Sequence, residues 1–249
     1  MLIKVAILIA FIALAFYRIR ETKRRGIGFL DALGITFNKY SIVDAIVGGI
    51  VAGAIVSLMF LLEWRFNLLS VDGIESVSVL GTDISTPFVV SFIEELMFRA
   101  IVIGCLALWM RNASIIISIS AIIFASAHLQ NQNVNMLAFV GYFVGGIVYG
   151  IGYLRTGSLW LPMGLHLGWN YFQGRVCGFS LSGYQVPDCL ILQHAVGSPL
   201  WTGGSYGFEG GVLGLVARLC MLLLILFWLR TKYSHSRNSS DALHALTGA

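Results

Sequence analysis

The stretch "SFIEELMFRA", residues 91–100, places two adjacent glutamates and an arginine inside a segment that otherwise has the composition of a membrane-spanning helix. Ionisable side chains at membrane depth are energetically costly unless they pair with one another or face a water-filled cavity. Glu94, Glu95 and Arg99 are therefore candidates for a functional site. The rest of the sequence is interpreted around them.

The composition is typical of a polytopic membrane protein. Hydrophobic residues make up 57% of the 249 residues and charged residues only 11%, whereas soluble domains carry about 25% charged residues. So few charges cannot cover a soluble surface. The net charge of +4 lies mainly in short loops, where it indicates membrane orientation. No nucleic-acid partner is expected from it.

The apolar segments predict the fold class, because a helix needs about 20 apolar residues to cross the hydrocarbon core. We expect an all-α transmembrane helix bundle of seven spans, with eight as the alternative. The predicted spans are residues 2–17, 42–62, 87–109, 113–130, 134–154, 157–173 and 210–229.

Basic residues indicate the orientation of this bundle. One set of alternating loops and tails holds Arg111, Arg155 and Arg230, whereas loops 63–86 and 174–209 hold one arginine each. Because cytoplasmic loops carry the excess of lysine and arginine, the first set is predicted to be cytoplasmic. The polar residues of the third span would then lie nearer the outer half of the membrane.

Helical spacing separates the roles of the two glutamates. Glu95 and Arg99 are four residues apart and share a helix face, which favours an ion pair. Glu94 is rotated by about 100° from Glu95 around the same helix. Glu95 and Arg99 are therefore predicted to form a supporting pair, whereas Glu94 is left available for chemistry.

Two histidines lie in later spans with the same spacing to a neighbour. His166 and Asn170 are four residues apart, as are Phe124 and His128. With Glu94, these groups suit peptide hydrolysis: a buried carboxylate can act as general base toward water. The imidazoles could orient water, stabilise an oxyanion or bind a metal, and the asparagine amide could donate to the oxyanion. The same residues also suit a proton-coupled transporter.

Three motifs resemble those of the CPBP family, the CAAX-protease and bacteriocin-processing family of intramembrane proteases. "EELMFR" at 94–99 resembles its EExxxR motif, "FASAH" at 124–128 its FxxxH motif, and "HLGWN" at 166–170 its HxxxN motif. All three occur in the family's order on successive hydrophobic segments. The resemblance covers about residues 85–173.

The resemblance implies residue roles, with Glu94 activating the hydrolytic water. The implied catalytic residues are Glu94, His128, His166 and Asn170. The supporting residues are Glu95, Arg99 and Phe124. Zinc is a possible cofactor, held by Glu94, His128 and His166. Asn170, the fourth residue of the implied site, is of a type that seldom binds zinc. The alternative is a metal-free route, in which glutamate and histidine activate water directly.

The expected function is intramembrane endopeptidase cleavage of a membrane-embedded or lipid-linked substrate, of CAAX type or a peptide precursor. Membrane lipid and that substrate are the expected partners. A multi-pass location in the cell membrane is expected, with a bacterial plasma membrane favoured by the family. Two alternatives stay open, namely a non-catalytic membrane scaffold or immunity protein that keeps the motifs for folding, and a proton-coupled transporter.

The chain is expected to form one integral membrane domain with three regions. Residues 1–84 hold the N-terminal spans, 85–173 the catalytic core, and 174–249 a long loop, the last span and a polar tail. The segment 174–209 could lie on the membrane surface or cover the site. Cys177 and Cys189, which share that segment, could form a disulfide if it lies outside the cell.

Overall fold

The computed structural model describes residues 2–233 of the chain. Its helices and strands are α1 (Leu2–Arg24), α2 (Phe29–Ala32), α3 (Ser41–Arg65), β1 (Leu69–Ile74), α4 (Ser85–Glu95), α5 (Gly104–Trp109), α6 (Ala113–Ala127), α7 (Met136–Thr156), α8 (Trp160–Asn170), β2 (Ile191–Ala195), α9 (Pro199–Thr202) and α10 (Val212–Lys232). Two π-helical segments, Leu96–Ile103 and Tyr171–Val176, continue α4 and α8. The polar tail predicted after Tyr233 lies outside the described residues.

Each of the seven predicted spans overlaps at least one of these helices. Within residues 2–233, three helices are long and apolar enough to cross a membrane: α3, α7 and α10. The fold is therefore mostly helical with three candidate membrane spans. The total of seven or eight spans stays a prediction.

A two-stranded sheet departs from the all-α prediction. β1 pairs with β2 in antiparallel orientation, with Leu69 opposite Ala195 and Ile74 opposite Ile191. Strands of six and five residues are too short to stand out in a search for spans of about 20 residues. The sheet fastens the segment 174–209 to the connection that follows α3.

The helix that carries the third motif lies in the middle of the molecule. α8 has 11 residues, nine of which are buried, and it packs against α3, α4 and α7. Pro162 lies in its first turn, where the missing N–H removes no intrahelical hydrogen bond. The short, enclosed α8 therefore presents His166 and Asn170 to the interior.

Glycines allow α8 to approach α3 closely. A Cβ atom on Gly168 would lie 2.6 Å from the backbone oxygen of Gly49, and one on Gly48 would lie 2.7 Å from the backbone nitrogen of Leu165. Real side chains do not tolerate such contacts with backbone atoms. Small residues at a helix contact permit the backbones of two helices, here α3 and α8, to lie this close together.

Gly168→Ala is expected to lower the free energy of unfolding by about 1–3 kcal/mol, because the added methyl must push the two helix backbones apart. Gly49→Ala is the matched control, since its Cβ would make only an ordinary contact, 3.7 Å from the Gly164 oxygen. Thermal unfolding in detergent, followed by circular dichroism, measures both. Equal stability of the two variants would contradict the close packing described here.

Candidate active site

The first motif lies where an α-helix changes its winding. α4 ends at Glu95 and continues as the π-helical segment Leu96–Ile103, a rare geometry that is frequent at functional sites. Glu95 and Arg99 are fully buried, whereas the Glu94 side chain keeps 26% of its surface exposed. Glu95 and Arg99 are therefore enclosed, whereas Glu94 is the more accessible of the two adjacent glutamates.

Glu95 and Arg99 form the predicted pair, with Arg99 Nε 3.1 Å from Glu95 Oε2. The guanidinium also lies over two aromatic rings, 4.7 Å from the centroid of Phe124 and 5.1 Å from that of Tyr149. Cation–π contacts of this kind favour a cation in a site with little water. The arginine thereby ties the first motif to the aromatic residue of the second.

Glu95 has a second role that the sequence analysis did not foresee. Its Oε1 atom lies 2.8 Å from Nδ1 of His166. A carboxylate only accepts hydrogen bonds, so Nδ1 carries the proton and donates it. The supporting glutamate therefore fixes the orientation of the His166 imidazole, which also stacks on Tyr149 at a centroid distance of 5.2 Å.

His128 is fixed in a comparable way at the end of α6. Its Nδ1 atom lies 2.8 Å from the backbone oxygen of Phe124, and because a carbonyl only accepts, Nδ1 again donates. The Phe124 ring lies edge-on at 4.8 Å, as the spacing predicts, and Tyr142 stacks on the imidazole at 4.0 Å. Three neighbours thus hold one ring orientation.

Glu94 faces both imidazoles. Its Oε2 atom lies 3.8 Å from Nε2 of His166 and 3.9 Å from Nε2 of His128. These gaps are too long for direct hydrogen bonds and suit a bridging water. Because both Nδ1 atoms donate, each neutral imidazole presents a lone pair at Nε2. Three acceptor atoms therefore converge, and a water between them, which has two hydrogens, would donate to two of them at a time.

The spacing of these three atoms is wider than a tetrahedral zinc ion needs. Tetrahedral zinc with ligands at about 2.1 Å would separate the ligand atoms by about 3.4 Å, closer than Glu94 Oε2 lies to either imidazole nitrogen. Among residues 2–233, no group of three or more His, Cys, Asp or Glu side chains is arranged to hold a metal ion. This arrangement fits a water better than a tightly held zinc.

Asn170, the fourth predicted catalytic residue, lines the same cavity as Glu94, His128 and His166. Its Nδ2 atom donates to Ser91 Oγ at 3.3 Å. An amide nitrogen carries two hydrogens, so one N–H is left for a group in the cavity. The structure therefore brings the four predicted side chains to one place.

The cavity around these residues has a volume of about 700 Å³, within the range of small-molecule sites. Part of its wall comes from the segment 174–209, through Ser182, Tyr184 and Val186. The segment therefore covers the site, one of the two positions expected for it. Val90 and Ile93 of α4 also line the cavity and are exposed, so the cavity opens on an apolar face of α4.

The segment 174–209, here named the covering segment, is joined to α7, α8 and α10 by a buried polar cluster that was not predicted. Glu209 accepts hydrogen bonds from Arg218 at 2.6 Å, the Ser182 backbone N–H at 2.8 Å and Trp169 Nε1 at 3.2 Å. The Tyr142 hydroxyl donates to Glu209 Oε2 at 3.1 Å, the same oxygen that accepts from Ser182. Because Tyr142 stacks on His128, the cluster links the covering segment to a predicted catalytic side chain.

An ion pair closes one side of the cavity. Arg175 lies 3.1 Å from Asp83 and donates to the backbone oxygen of Asp188 at 2.8 Å. Hydrogen bonds from the Thr86 backbone and from Ser85, together with Arg175, hold the pKa of Asp83 below its ordinary range. Asp83 therefore stays ionised well below neutral pH, so the pair joins the covering segment to the start of α4 at neutral pH.

The disulfide predicted between Cys177 and Cys189 is not formed, since both cysteines are free thiols. Cys189 Sγ instead lies 3.4 Å from the backbone oxygen of Ile191. Cys177 is buried at the end of the second π-helical segment. The backbone of Arg175, which accepts from Leu190 N–H at 2.8 Å, fastens the loop here without a covalent link.

Comparison with known proteins supports the three motifs. Residues 77–172 match the family model described as type II CAAX prenyl endopeptidase Rce1-like. The match contains every motif residue from Glu94 to Asn170, so the resemblance predicted for residues 85–173 is confirmed. No curated protein and no solved structure matches the chain. Glu209 and Arg218 lie outside the matched segment.

Proposed function

We propose that this chain, Rce1-like over residues 77–172, is an intramembrane endopeptidase that hydrolyses a membrane-embedded or lipid-linked substrate. The observation that carries the proposal is the convergence of Glu94 with the Nε2 atoms of His128 and His166. Residues 85–173 are proposed as the catalytic core. The flanking regions 1–84 and 174–249 complete and cover it.

Glu94 acts as the general base in this proposal. It accepts a proton from a water held between its carboxylate and the two imidazoles. The water oxygen forms a bond to the scissile carbonyl carbon, and the carbonyl π electrons move onto the carbonyl oxygen. When the C–N bond breaks, protonated Glu94 returns the proton to the amine nitrogen, which leaves a new carboxyl group and a new amine.

Asn170 is proposed to stabilise the developing negative oxygen with the N–H that does not bond Ser91. His128 and His166 are proposed to hold the water, because their Nδ1 bonds direct a lone pair of each ring toward Glu94. Glu95 and Phe124 are proposed as positioning residues because they contact the imidazoles. Arg99 is proposed to support both, since it pairs with Glu95 and lies over the Phe124 ring. The proposed mechanism therefore gives every motif residue a role, either at the reacting atoms or in positioning the groups that act there.

The substrate is proposed to be an apolar or lipid-linked peptide, of CAAX or precursor type. The cavity opens beside exposed apolar residues of α4, so a substrate within the bilayer could enter without crossing a polar surface. We further propose a multi-pass location in a cell membrane, with a bacterial plasma membrane as the favoured case. Membrane lipid would then surround the exposed faces of the three candidate spans.

Replacing His166 by alanine is expected to slow cleavage of a lipid-linked peptide by about 100-fold or more, because the water loses one of the groups that orient it. His128→Ala is expected to act similarly. His194→Ala is the matched control, since His194 is exposed on β2 and bonds Asp72. Mass spectrometry of the peptide panel measures the products.

The same experiment separates the alternatives. Cleavage lost in both histidine variants and retained in His194→Ala supports the protease. A folded wild-type protein that leaves every peptide intact would favour the scaffold. Proton-dependent solute flux into vesicles that contain the protein would favour the transporter.

Chelation is expected to leave wild-type cleavage unchanged, because the donor set fits a water better than a tightly held zinc. Zinc, if bound, would be held by Glu94, His128 and His166 and would supply a Lewis acid. The assay compares cleavage before and after treatment with 1,10-phenanthroline. Loss of activity that added zinc restores would contradict the metal-free proposal and identify zinc as the cofactor.

A further inference from the structure

A second cavity, of about 370 Å³, lies between α6, α7 and α10. Ser114, in the first turn of α6, contributes to its wall, whereas His128 follows the other end of that helix. At 1.5 Å per residue, the two positions are about 20 Å apart along α6. This cavity, here named the arginine-lined cavity, is therefore separate from the candidate active site.

Two arginines give this cavity a positive charge. Arg155 on α7 and Arg230 on α10 both line it, and none of the described residues that line it is acidic. Within residues 2–233, neither arginine forms an ion pair. The Nε atom of Arg155 is buried without a hydrogen-bond partner, an arrangement that is costly unless an acceptor is supplied. The charge and the unsatisfied donor point to an anionic ligand.

The remaining wall provides both hydrogen-bond donors and apolar surface. Ser114 and Ser118 are one turn apart on α6 and both line the cavity. The N–H groups of Ala113 and Ser114, which lack intrahelical acceptors, lie at the same end and favour an anion, whereas the Ile115 N–H donates to Asn112 Oδ1 at 3.2 Å. Ile151 and Leu226 contribute apolar surface beside these donors. A ligand with a negative head and an apolar tail would satisfy both parts of the wall.

We propose that the arginine-lined cavity binds the phosphate headgroup of an anionic membrane lipid, with the acyl chains along α7 and α10. The charge asymmetry of the loops predicts that Arg155 and Arg230 lie on the cytoplasmic side, and basic pockets between helices on that side suit anionic headgroups. Cations in the last turn of a helix also favour the helix dipole. The helix dipole would explain one arginine at each helix end, but it does not explain why both arginines line the same cavity.

The test measures thermal unfolding of the full chain, delipidated in a neutral detergent. Phosphatidylglycerol at about ten times its Kd is expected to raise the Tm by about 4 °C. Phosphatidylcholine and inorganic phosphate are expected to leave it unchanged, because the first lacks net charge and the second lacks acyl chains. The double variant Arg155→Gln/Arg230→Gln is expected to lose the shift, and Arg111→Gln, changed on the same side but outside the cavity, is expected to keep it.

Three outcomes would overturn the proposal. The first is that phosphatidylglycerol does not act through the two arginines, seen either as no Tm shift in the wild type or as an equal Tm shift in the double variant. The second is an equal shift with phosphatidylcholine, which would indicate a general lipid effect. The third is an equal shift with inorganic phosphate, which would indicate a free-anion site. If the double variant does not fold, exposed Arg230 is changed alone, with Arg230→Lys as the charge-preserving partner.

Discussion

Glu94→Gln is expected to lower kcat for peptide cleavage by about 1,000-fold, the contribution typical of a positioned general base. Glutamine keeps the size of the side chain but cannot accept a proton from the water. The effect on folding is expected to be small, because the Glu94 side chain is partly exposed and forms no direct hydrogen bond with either imidazole. Substrate binding should also be retained. The loss should therefore appear in kcat and not in KM.

Glu75→Gln is the matched control for this substitution, because Glu75 is an exposed glutamate outside the cavity. It is expected to cleave at the wild-type rate. Steady-state cleavage of a lipid-linked fluorogenic peptide measures both variants. If Glu94→Gln retained most of the wild-type kcat, Glu94 could not be the base, and the assignment of the water to this position would be wrong.

Arg218→Met is expected to lower the free energy of unfolding by about 3–5 kcal/mol, the cost of leaving a buried charge without its partner. Arg218 and Glu209 are 2.6 Å apart, with only 4% and 3% of their side chains exposed. Without the arginine, the Glu209 carboxylate would stay buried beside Tyr142 and Trp169. Cleavage is expected to fall as well, because the cluster supports Tyr142 against His128.

Arg24→Met is the matched control, because it removes the arginine of an ion pair near the surface. Arg24 lies 3.1 Å from Glu21, and 67% of its side chain is exposed. That variant is expected to lose at most about 1 kcal/mol. Denaturation by a graded detergent mixture compares the two. The double variant Glu209→Gln/Arg218→Met should regain part of the loss, because no charge then stays buried. Equal stability of the Arg218 and Arg24 variants would contradict the buried pair.

Local spacing predicted much of the candidate site. The pair of Glu95 with Arg99 and the contact of Phe124 with His128 both follow from a separation of four residues on a helix. The division of roles between Glu94 and Glu95 follows from the rotation between adjacent helix positions. Such contacts depend on one helix alone, so the sequence contains the information that determines them.

Contacts between distant segments could not be predicted in the same way. The bond from His166 to Glu95 joins positions 71 residues apart, and the contact of Tyr142 with Glu209 joins positions 67 apart. The first depends on how α4 packs against α8, and the second on how the segment around Glu209 packs against α7; periodicity specifies neither. The short strands β1 and β2 were missed because their apolar runs are far shorter than a span. The change to π-helical winding after Glu95 has no distinct sequence signal.

The most direct test of the central claim is mass spectrometry of a lipid-linked peptide incubated with the purified protein in ¹⁸O-labelled water. The proposal predicts two cleavage products, with one ¹⁸O atom in the new carboxyl group, and none above background when Glu94 is replaced by glutamine. A folded wild-type protein that leaves the peptide panel intact would contradict the account. So would labelled cleavage by Glu94→Gln at the wild-type rate.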